Sequence, residues 1–167
     1  MTEQIILESS RIILKEMKSS DAEMVVEMRS RPEVYRFFRS PHPITLQEHM
    51  EWFSNSYLKN DSRVEFVAVE KENAEPIGLF GIRKLDQCQG MERAEVSYLL
   101  KPAAQGKGYA GEAVLLLLQL AKEKWNVQKV IAEVHEDNAA SIALAERLRF
   151  EKKGQKGKFF VFEKEVF

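Results

Sequence analysis

The apolar positions in the first third of the chain predict two helices and one strand. Arg11–Lys15 has the apolar, β-branched composition of a strand. Ser20–Glu23 resembles a helix start and is followed by apolar residues at helical spacing. Thr45–Glu48 is a capping-box pattern, which predicts a second helix. That helix is expected to bury one face made of Leu46, Met50, Phe53 and Tyr57, whereas residues 30–44 look too irregular for an element.

Extended apolar segments dominate the rest of the chain. Val64–Val69 and Ile77–Ile82, joined by a polar turn, predict a hairpin. The further elements predicted are a strand at 92–100, a helix at 110–124, a strand at 129–135, a helix at 138–147 and a closing β pair at Phe150 and 159–166. This order predicts one α/β domain over residues 1–167, with a mixed sheet flanked by helices.

Composition and charge narrow the function classes. The chain has 167 residues, with 25 Lys and Arg against 26 Asp and Glu, so we expect no nucleic-acid or membrane partner. The single Cys88 excludes an intramolecular disulfide. The start, Met1–Gln4, lacks the basic and apolar regions of a signal peptide. These features predict a soluble, cytoplasmic protein.

The most informative segment is Gln105–Ala110, a loop with two glycines that runs into the apolar helix. A helix N-terminus has unpartnered N–H groups and the positive end of the helix dipole. Glycines before it let an anion approach closely, so the loop is a candidate phosphate or pyrophosphate site. Taken alone, these six residues favour a plain turn before a core helix, and the rest of the chain changes that weighting. It lacks the Walker pattern, and Gly106, Gly108 and Gly111 lack the βαβ context of a dinucleotide fingerprint.

The wider pattern resembles the GCN5-related N-acetyltransferases. An apolar strand at 94–100, Lys101–Pro102, the Gln-x-x-Gly-x-Ala loop and a helix follow in that family's order. A second motif, Glu133–Ser141, resembles the family's next strand and helix, where an asparagine opens the helix. The resemblance covers nearly the whole chain. It implies the family's fold, with a mixed, mostly antiparallel central sheet flanked by helices, and acetyl-CoA as cosubstrate.

The resemblance also implies cofactor contacts. The pyrophosphate loop corresponds to Gln105, Gly106, Lys107, Gly108, Tyr109 and Ala110. Asn138 matches an asparagine that contacts the pantetheine arm, and it is also a natural N-cap. Ser141 lies beside it. A strand N–H near Leu99 or Leu100 would meet the oxyanion of the tetrahedral intermediate.

Two branches of the family share features with this chain. Gly106–Ala113 and the Asn138-x-x-Ser141 pair resemble ribosomal-protein alanine acetyltransferases. Residues 28–34 and 44–53 resemble the acetyltransferase of a UDP-linked 4-amino sugar in pseudaminic acid synthesis. That second resemblance implies that Arg29, His49 and Lys84 bind substrate, although the relative has threonine where this chain has Arg83.

Catalysis requires a base, because only a neutral amine can attack the thioester. Glu133 stands where several relatives place the base, and Glu95 is the competing candidate; each is alternatively an ordinary strand glutamate. The tyrosine that protonates the leaving thiolate in many members is Ala145 here, and the glycine before Phe150 is Arg149. Ser141 resembles a serine proposed for that role, and is alternatively a helix serine bonded to its own backbone.

Three functions remain open. The first is acetyl transfer to a small-molecule amine, an amino sugar or UDP-linked amino sugar. The second is N-terminal acetylation of a ribosomal or other protein, and the third is a non-catalytic CoA-binding sensor. A monomer and a homodimer are both open. His42, His135 and Cys88 show no metal-ligand spacing. The basic residues between 147 and 158 can meet a phosphate or form a solvated turn.

Overall fold

The computed structural model describes residues 4–166, which form an eight-stranded sheet with helices on both faces. Most of the amino-terminal sequence that argues against a signal peptide, Met1–Glu3, lies outside the described residues. Within them, no helix is long and apolar enough to cross a membrane. The strands are β1 (Ile6–Glu8), β2 (Ile12–Glu16), β3 (Arg63–Glu70), β4 (Pro76–Cys88), β5 (Met91–Leu100), β6 (Lys129–His135), β7 (Glu151–Lys156) and β8 (Phe159–Glu165). The helices are α1 (Ala22–Arg29), α2 (Pro32–Tyr35), α3 (Leu46–Asn55), α4 (Tyr109–Trp125) and α5 (Ala139–Arg147).

The strand order is β1-β2-β3-β4-β5-β6-β8-β7, and every neighbouring pair is antiparallel except β5 and β6. The predicted hairpin is β3–β4, and the predicted closing pair is β7–β8. The mixed, mostly antiparallel sheet is therefore confirmed. The parallel β5–β6 step needs a crossover, and α4 supplies it.

Each face of the sheet carries its own apolar core, because successive strand residues point to opposite faces. One core packs α4 against β4 and β5 and includes Phe80, Ile82 and Leu117. The other packs α1 and α3 against residues such as Leu79 and Leu99. This second face also carries the charged residues described below.

Two local expectations are corrected, and one strand was not predicted. Leu46 is 44 % exposed, because the inner face of α3 is formed by His49 and Phe53 one turn further on. The irregular 30–44 segment contains α2, whose start Pro32 favours with its fixed φ. The edge strand β1 was not predicted. The cap of α3 is confirmed, since Thr45 Oγ1 accepts from the Glu48 N–H at 3.1 Å.

The two central strands separate near their middle, which creates the opening for a site. Pairing between β5 and β6 runs only from Arg93–Lys129 to Glu95–Ile131. Beyond those residues the two strands diverge, and the edge of β5 from Val96 to Leu100 has no β6 partner. Unpaired strand edges leave backbone N–H and C=O groups available for other partners.

Candidate active site

A large cleft of about 1100 Å³ opens where β5 and β6 diverge. Its walls come from the ends of β5 and β6, the start of α4, the first turns of α5 and the segment after α2. Of the residues predicted to contact cofactor, all but Lys107 line it. The structure thus brings the two separate sequence motifs to one cavity.

The Gln105–Ala110 loop has the backbone form that its glycines predict. Gly106 and Gly108 have φ of +79° and +84°, in the left-handed region that favours glycine. Gly108 is the N-cap of α4. The backbone N–H groups of the first turn therefore lack intrahelical acceptors and lie at the end of the helix that borders the cleft. Gln105 folds back, and its amide donates to the Leu100 carbonyl at 3.3 Å.

Arg11, at the start of β2, holds this loop from outside the cleft. Its guanidinium donates to the Lys107 carbonyl at 2.8 Å and pairs with Glu112 in the first turn of α4. It also lies over the Tyr109 ring at 4.6 Å. Arg11 therefore fixes the loop to the helix it opens.

The second motif, Glu133–Ser141, borders the gap between β5 and β6 on the β6 side. The Asn138 side chain caps α5 by accepting from the Ser141 N–H at 3.2 Å. The Ser141 hydroxyl lies 2.9 Å from the Tyr98 hydroxyl. Tyr98 stacks on Phe80 with ring centroids 5.3 Å apart. Burial raises the pKa of Tyr98, so its hydroxyl is protonated at neutral pH and available as a hydrogen-bond partner.

Glu95 and Glu133 both line the cleft, with side chains only 15 % and 10 % exposed. Each carboxylate has a cation on one oxygen: Glu95 accepts from Arg83 at 2.8 Å, and Glu133 lies 3.2 Å from Lys156 Nζ. Arg39 contacts both carboxylates, pairing with Glu133 and lying 3.6 Å from Glu95. The two candidate bases thus belong to one charge network.

His49, which the resemblance places at the substrate site, lies in α3 and lines the cleft. It is 2 % exposed, and neither ring nitrogen has a hydrogen-bond partner among residues 4–166. Burial, and secondarily the Arg29 charge, lower the pKa of His49, so the ring is neutral at pH 7. Buried polar atoms are nearly always paired. An unpaired imidazole that lines a cavity therefore indicates where a ligand would bond.

The surroundings of His49 are cationic and aromatic. Arg63 donates to Glu65 at 2.7 Å and lies over the Trp52 ring at 5.2 Å. Glu65 is buried, and this burial raises the pKa of its carboxyl group. Gly81 makes room for that carboxylate, because a Cβ there would lie 2.3 Å from Glu65 Oε2. Arg29 faces the same carboxylate from α1, so two guanidinium groups share one negative charge.

Lys84 is not brought to the cleft. Cross-strand partners share a face, and Lys84 pairs with Ala94, which lies in the α4-side core. Its ammonium is 3.8 Å from Glu92. Arg83, the residue that departs from the relative's threonine, faces the cleft side and bonds Glu95.

Comparison with known proteins identifies the family. The family model described as an acetyltransferase (GNAT) domain matches residues 11–151. An uncharacterized N-acetyltransferase, p20 of Bacillus licheniformis, is 31 % identical over 152 residues, covering 89 % of this chain and 83 % of its own. The chain belongs to the GNAT acetyltransferases and is an acetyl-CoA-dependent N-acetyltransferase.

Solved structures of the same fold include proteins whose names refer to different acceptors and one whose name refers to none. A domain from Methanocaldococcus jannaschii matches with a TM-score of 0.81 at 26 % identity, over 95 % of this chain and all of its own. FdhC, a nucleotide-linked sugar GNAT, matches at 0.81 and 15 % identity, over 98 % of this chain and 91 % of its own. The ribosomal-protein-S5-alanine acetyltransferase of Vibrio fischeri matches at 0.80 and 20 % identity, over 96 % of both chains.

Several residues of this site escaped sequence reasoning. These residues are Arg39, Arg63, Glu65 and Tyr98. Arg39 and Tyr98 meet Glu133 and Ser141 only through the tertiary fold, whereas Arg63 bonds Glu65 two residues further along β3. The glycine at position 81, inside an apolar strand segment, is the local signal of the close approach of Glu65.

Proposed function

We propose that this enzyme acetylates the primary amine of a small acceptor that carries an anionic group, with a nucleotide-linked amino sugar as the first candidate. The observation that carries the proposal is the buried, unpaired His49 imidazole beside Arg29 and Arg63. A neutral imidazole offers one donor and one acceptor. The guanidinium groups of Arg29 and Arg63 carry two positive charges beside the single carboxylate of Glu65. The net positive charge favours binding of a phosphate.

The chemistry follows from the positions of the carboxylates. Acetyl-CoA bound at the α4 loop would lay its thioester along the unpaired edge of β5, where a backbone N–H near Leu99 or Leu100 can meet the developing oxyanion. The amine attacks the thioester carbon as the neutral base. Glu133, with Glu95 as its alternative, takes the amine proton. Collapse breaks the C–S bond, and the thiolate takes a proton from Ser141 or from water.

N-terminal acetylation of a protein is the second candidate. The cleft is open, and its acceptor side is lined by the segment after α2, which leaves room for an extended peptide. The structural similarity to the ribosomal-protein acetyltransferase is a similarity of fold. Ala145 is buried in α5 and offers no hydroxyl group, which was the reason to consider a non-catalytic CoA-binding sensor; membership of the acetyltransferase family argues against that third function.

A panel of amines discriminates among these candidates. Thiol release from acetyl-CoA would be followed with UDP-linked 4-amino sugars, glucosamine, spermidine and a peptide with N-terminal alanine. We expect turnover with the nucleotide-linked sugars and background rates with the peptide. Peptide turnover with the sugars at background would replace the first candidate by the second.

A pair of variants tests the acceptor subsite itself. His49→Ala should raise the KM for a nucleotide-linked acceptor by about tenfold, the loss of one good hydrogen bond to a charged group, and should leave the KM for acetyl-CoA unchanged. Lys84→Ala should change neither value, because Lys84 lies on the other face of the sheet. An acceptor KM raised by Lys84→Ala and not by His49→Ala would contradict the assignment.

A further inference from the structure

Arg39 occupies the space between the two candidate bases. Its Nη2 atom contacts Oε2 of both Glu95 and Glu133, while the other oxygen of each carboxylate faces Arg83 or Lys156. The guanidinium carbon also lies 5.8 Å from the centre of the Phe159 ring. A cation bound by two carboxylates and an aromatic face is the environment that a protonated amine also prefers.

The local charges disfavour the binding of a second cation beside Arg39. With Arg39 in place, two carboxylates face three cationic side chains: Arg39, Arg83 and Lys156. An acceptor ammonium added to them would be a fourth positive charge beside only two carboxylates, and like charges at short range repel one another. When Arg39 is withdrawn, the two negative charges of Glu95 and Glu133 equal the two positive charges of Arg83 and Lys156. One oxygen of each carboxylate is then free to accept a hydrogen bond from the ammonium group.

The chain around Arg39 permits this withdrawal. Phe38 packs against the α1–α3 core, and Ser30 bonds both the N–H and the carbonyl of Ile44. Between these anchors, residues 39–43 are exposed, and the Arg39 side chain itself is 60 % exposed. Its side chain can therefore swing into solvent while Phe38 and Ile44 stay in place.

We infer that Arg39 is a specificity-determining residue that competes with the acceptor: it holds the amine subsite until a primary ammonium group displaces it from Glu95 and Glu133. This inference rests on the proposed transfer to a primary amine. The unpaired His49 in the same cleft independently indicates that a ligand binds on this side. An acceptor with a second group bound near His49 gains the free energy needed to displace Arg39. An amine that lacks such a second group gains no binding free energy from contacts near His49.

The direct test is binding of a plain amine to the protein without acetyl-CoA. Butylammonium chloride would be titrated into wild type, Arg39→Ala and Arg31→Ala while the backbone amide signals of Glu95 and Glu133 are followed by NMR. Arg31 is the matched control, because it also pairs with a glutamate, Glu27, and does not line the cleft.

We expect Arg39→Ala to bind butylammonium about two- to fivefold more tightly than wild type, the range that exposed ion pairs give. Arg31→Ala should match wild type. Equal or weaker binding in Arg39→Ala, or no shift at Glu95 and Glu133 in any of the three proteins, would overturn the inference. This readout needs no turnover, so its result is independent of whether the proposed acceptor class is right.

Turnover gives a second, separate readout with the best amine of the panel. Competition predicts that Arg39→Ala lowers the KM for the amine and keeps kcat within about twofold of wild type. Added methylguanidinium chloride should inhibit Arg39→Ala competitively with the amine, and wild type less. A raised KM together with a lower kcat would show that Arg39 assists the reaction, which contradicts competition.

Discussion

At the scale of single residues, the site depends on polar groups that the fold leaves incompletely satisfied. Among the residues that the structure describes, neither ring nitrogen of His49 has a hydrogen-bond partner, and its burial is nearly complete. A resemblance suggested His49, but its burial and missing partners follow only from the packing of α3 on the sheet. Arg149 illustrates the opposite case. Its φ of +67° is in the region that favours glycine, which explains in physical terms why relatives place glycine there.

The burial of His49 leads to a prediction on stability and pH. Burial, and then the Arg29 charge, lower the pKa of His49 in the folded state. The unfolded chain therefore binds the proton first, at the ordinary pKa of about 6.5. Where the unfolded state holds more protons, the free energy of unfolding rises with pH. Stability should therefore fall as the pH is lowered through about 6.5.

His49→Phe keeps a ring and removes this titration. Urea unfolding between pH 7.5 and 5.5 should show a smaller loss of stability for His49→Phe than for wild type. His42→Phe is the control, since His42 is an exposed histidine. An equal pH dependence in wild type and His49→Phe would mean that His49 is not the group responsible.

At the scale of elements, helix starts were the most predictable part of the site. Thr45, Gly108 and Asn138 each begin a helix in the structure, as their local chemistry predicts. Such caps depend on a few neighbouring residues, so the sequence contains all the relevant information. The resemblance implied that Lys84 binds substrate, but Lys84 lies on the α4 side of the sheet, because the side on which a strand residue points depends on its register with neighbouring strands.

The loop at the start of α4 provides a matched pair of variants. Gly108→Ala places a Cβ at a φ of +84° and 3.1 Å from the Arg11 guanidinium. Gly90→Ala imposes a similar strain, at a φ of +77°, in open space away from the cleft. Each should destabilise the protein by about 1 kcal/mol.

Only Gly108→Ala should weaken acetyl-CoA binding, by about tenfold, because it disturbs the N–H groups that we propose bind the pyrophosphate. Calorimetric titration of acetyl-CoA into both variants measures this. Equal affinities in Gly108→Ala and Gly90→Ala would argue against the loop as the pyrophosphate site.

At the scale of the whole molecule, one topological feature creates the cleft. The parallel β5–β6 pair stops at Glu95–Ile131, and the loop of α4 and the start of α5 meet at the resulting gap. The order of elements predicted the mixed sheet, and the family resemblance implied that both motifs contact one cofactor; the gap itself was not predicted. The acceptor half draws on α1, α3, β3 and the segment after α2, which are distant in sequence, and no local pattern predicts how they combine.

The central claim is that this cleft transfers an acetyl group from CoA to an amine. The most direct measurement is the molar ratio of N-acetylated amine, by mass spectrometry, to released CoA thiol with the panel amines. We predict a ratio near one for wild type, and loss of both products in Glu133→Gln with acetyl-CoA affinity retained. Thiol release without acetylated amine, or acetyl-CoA binding with neither product across the panel, would contradict the account.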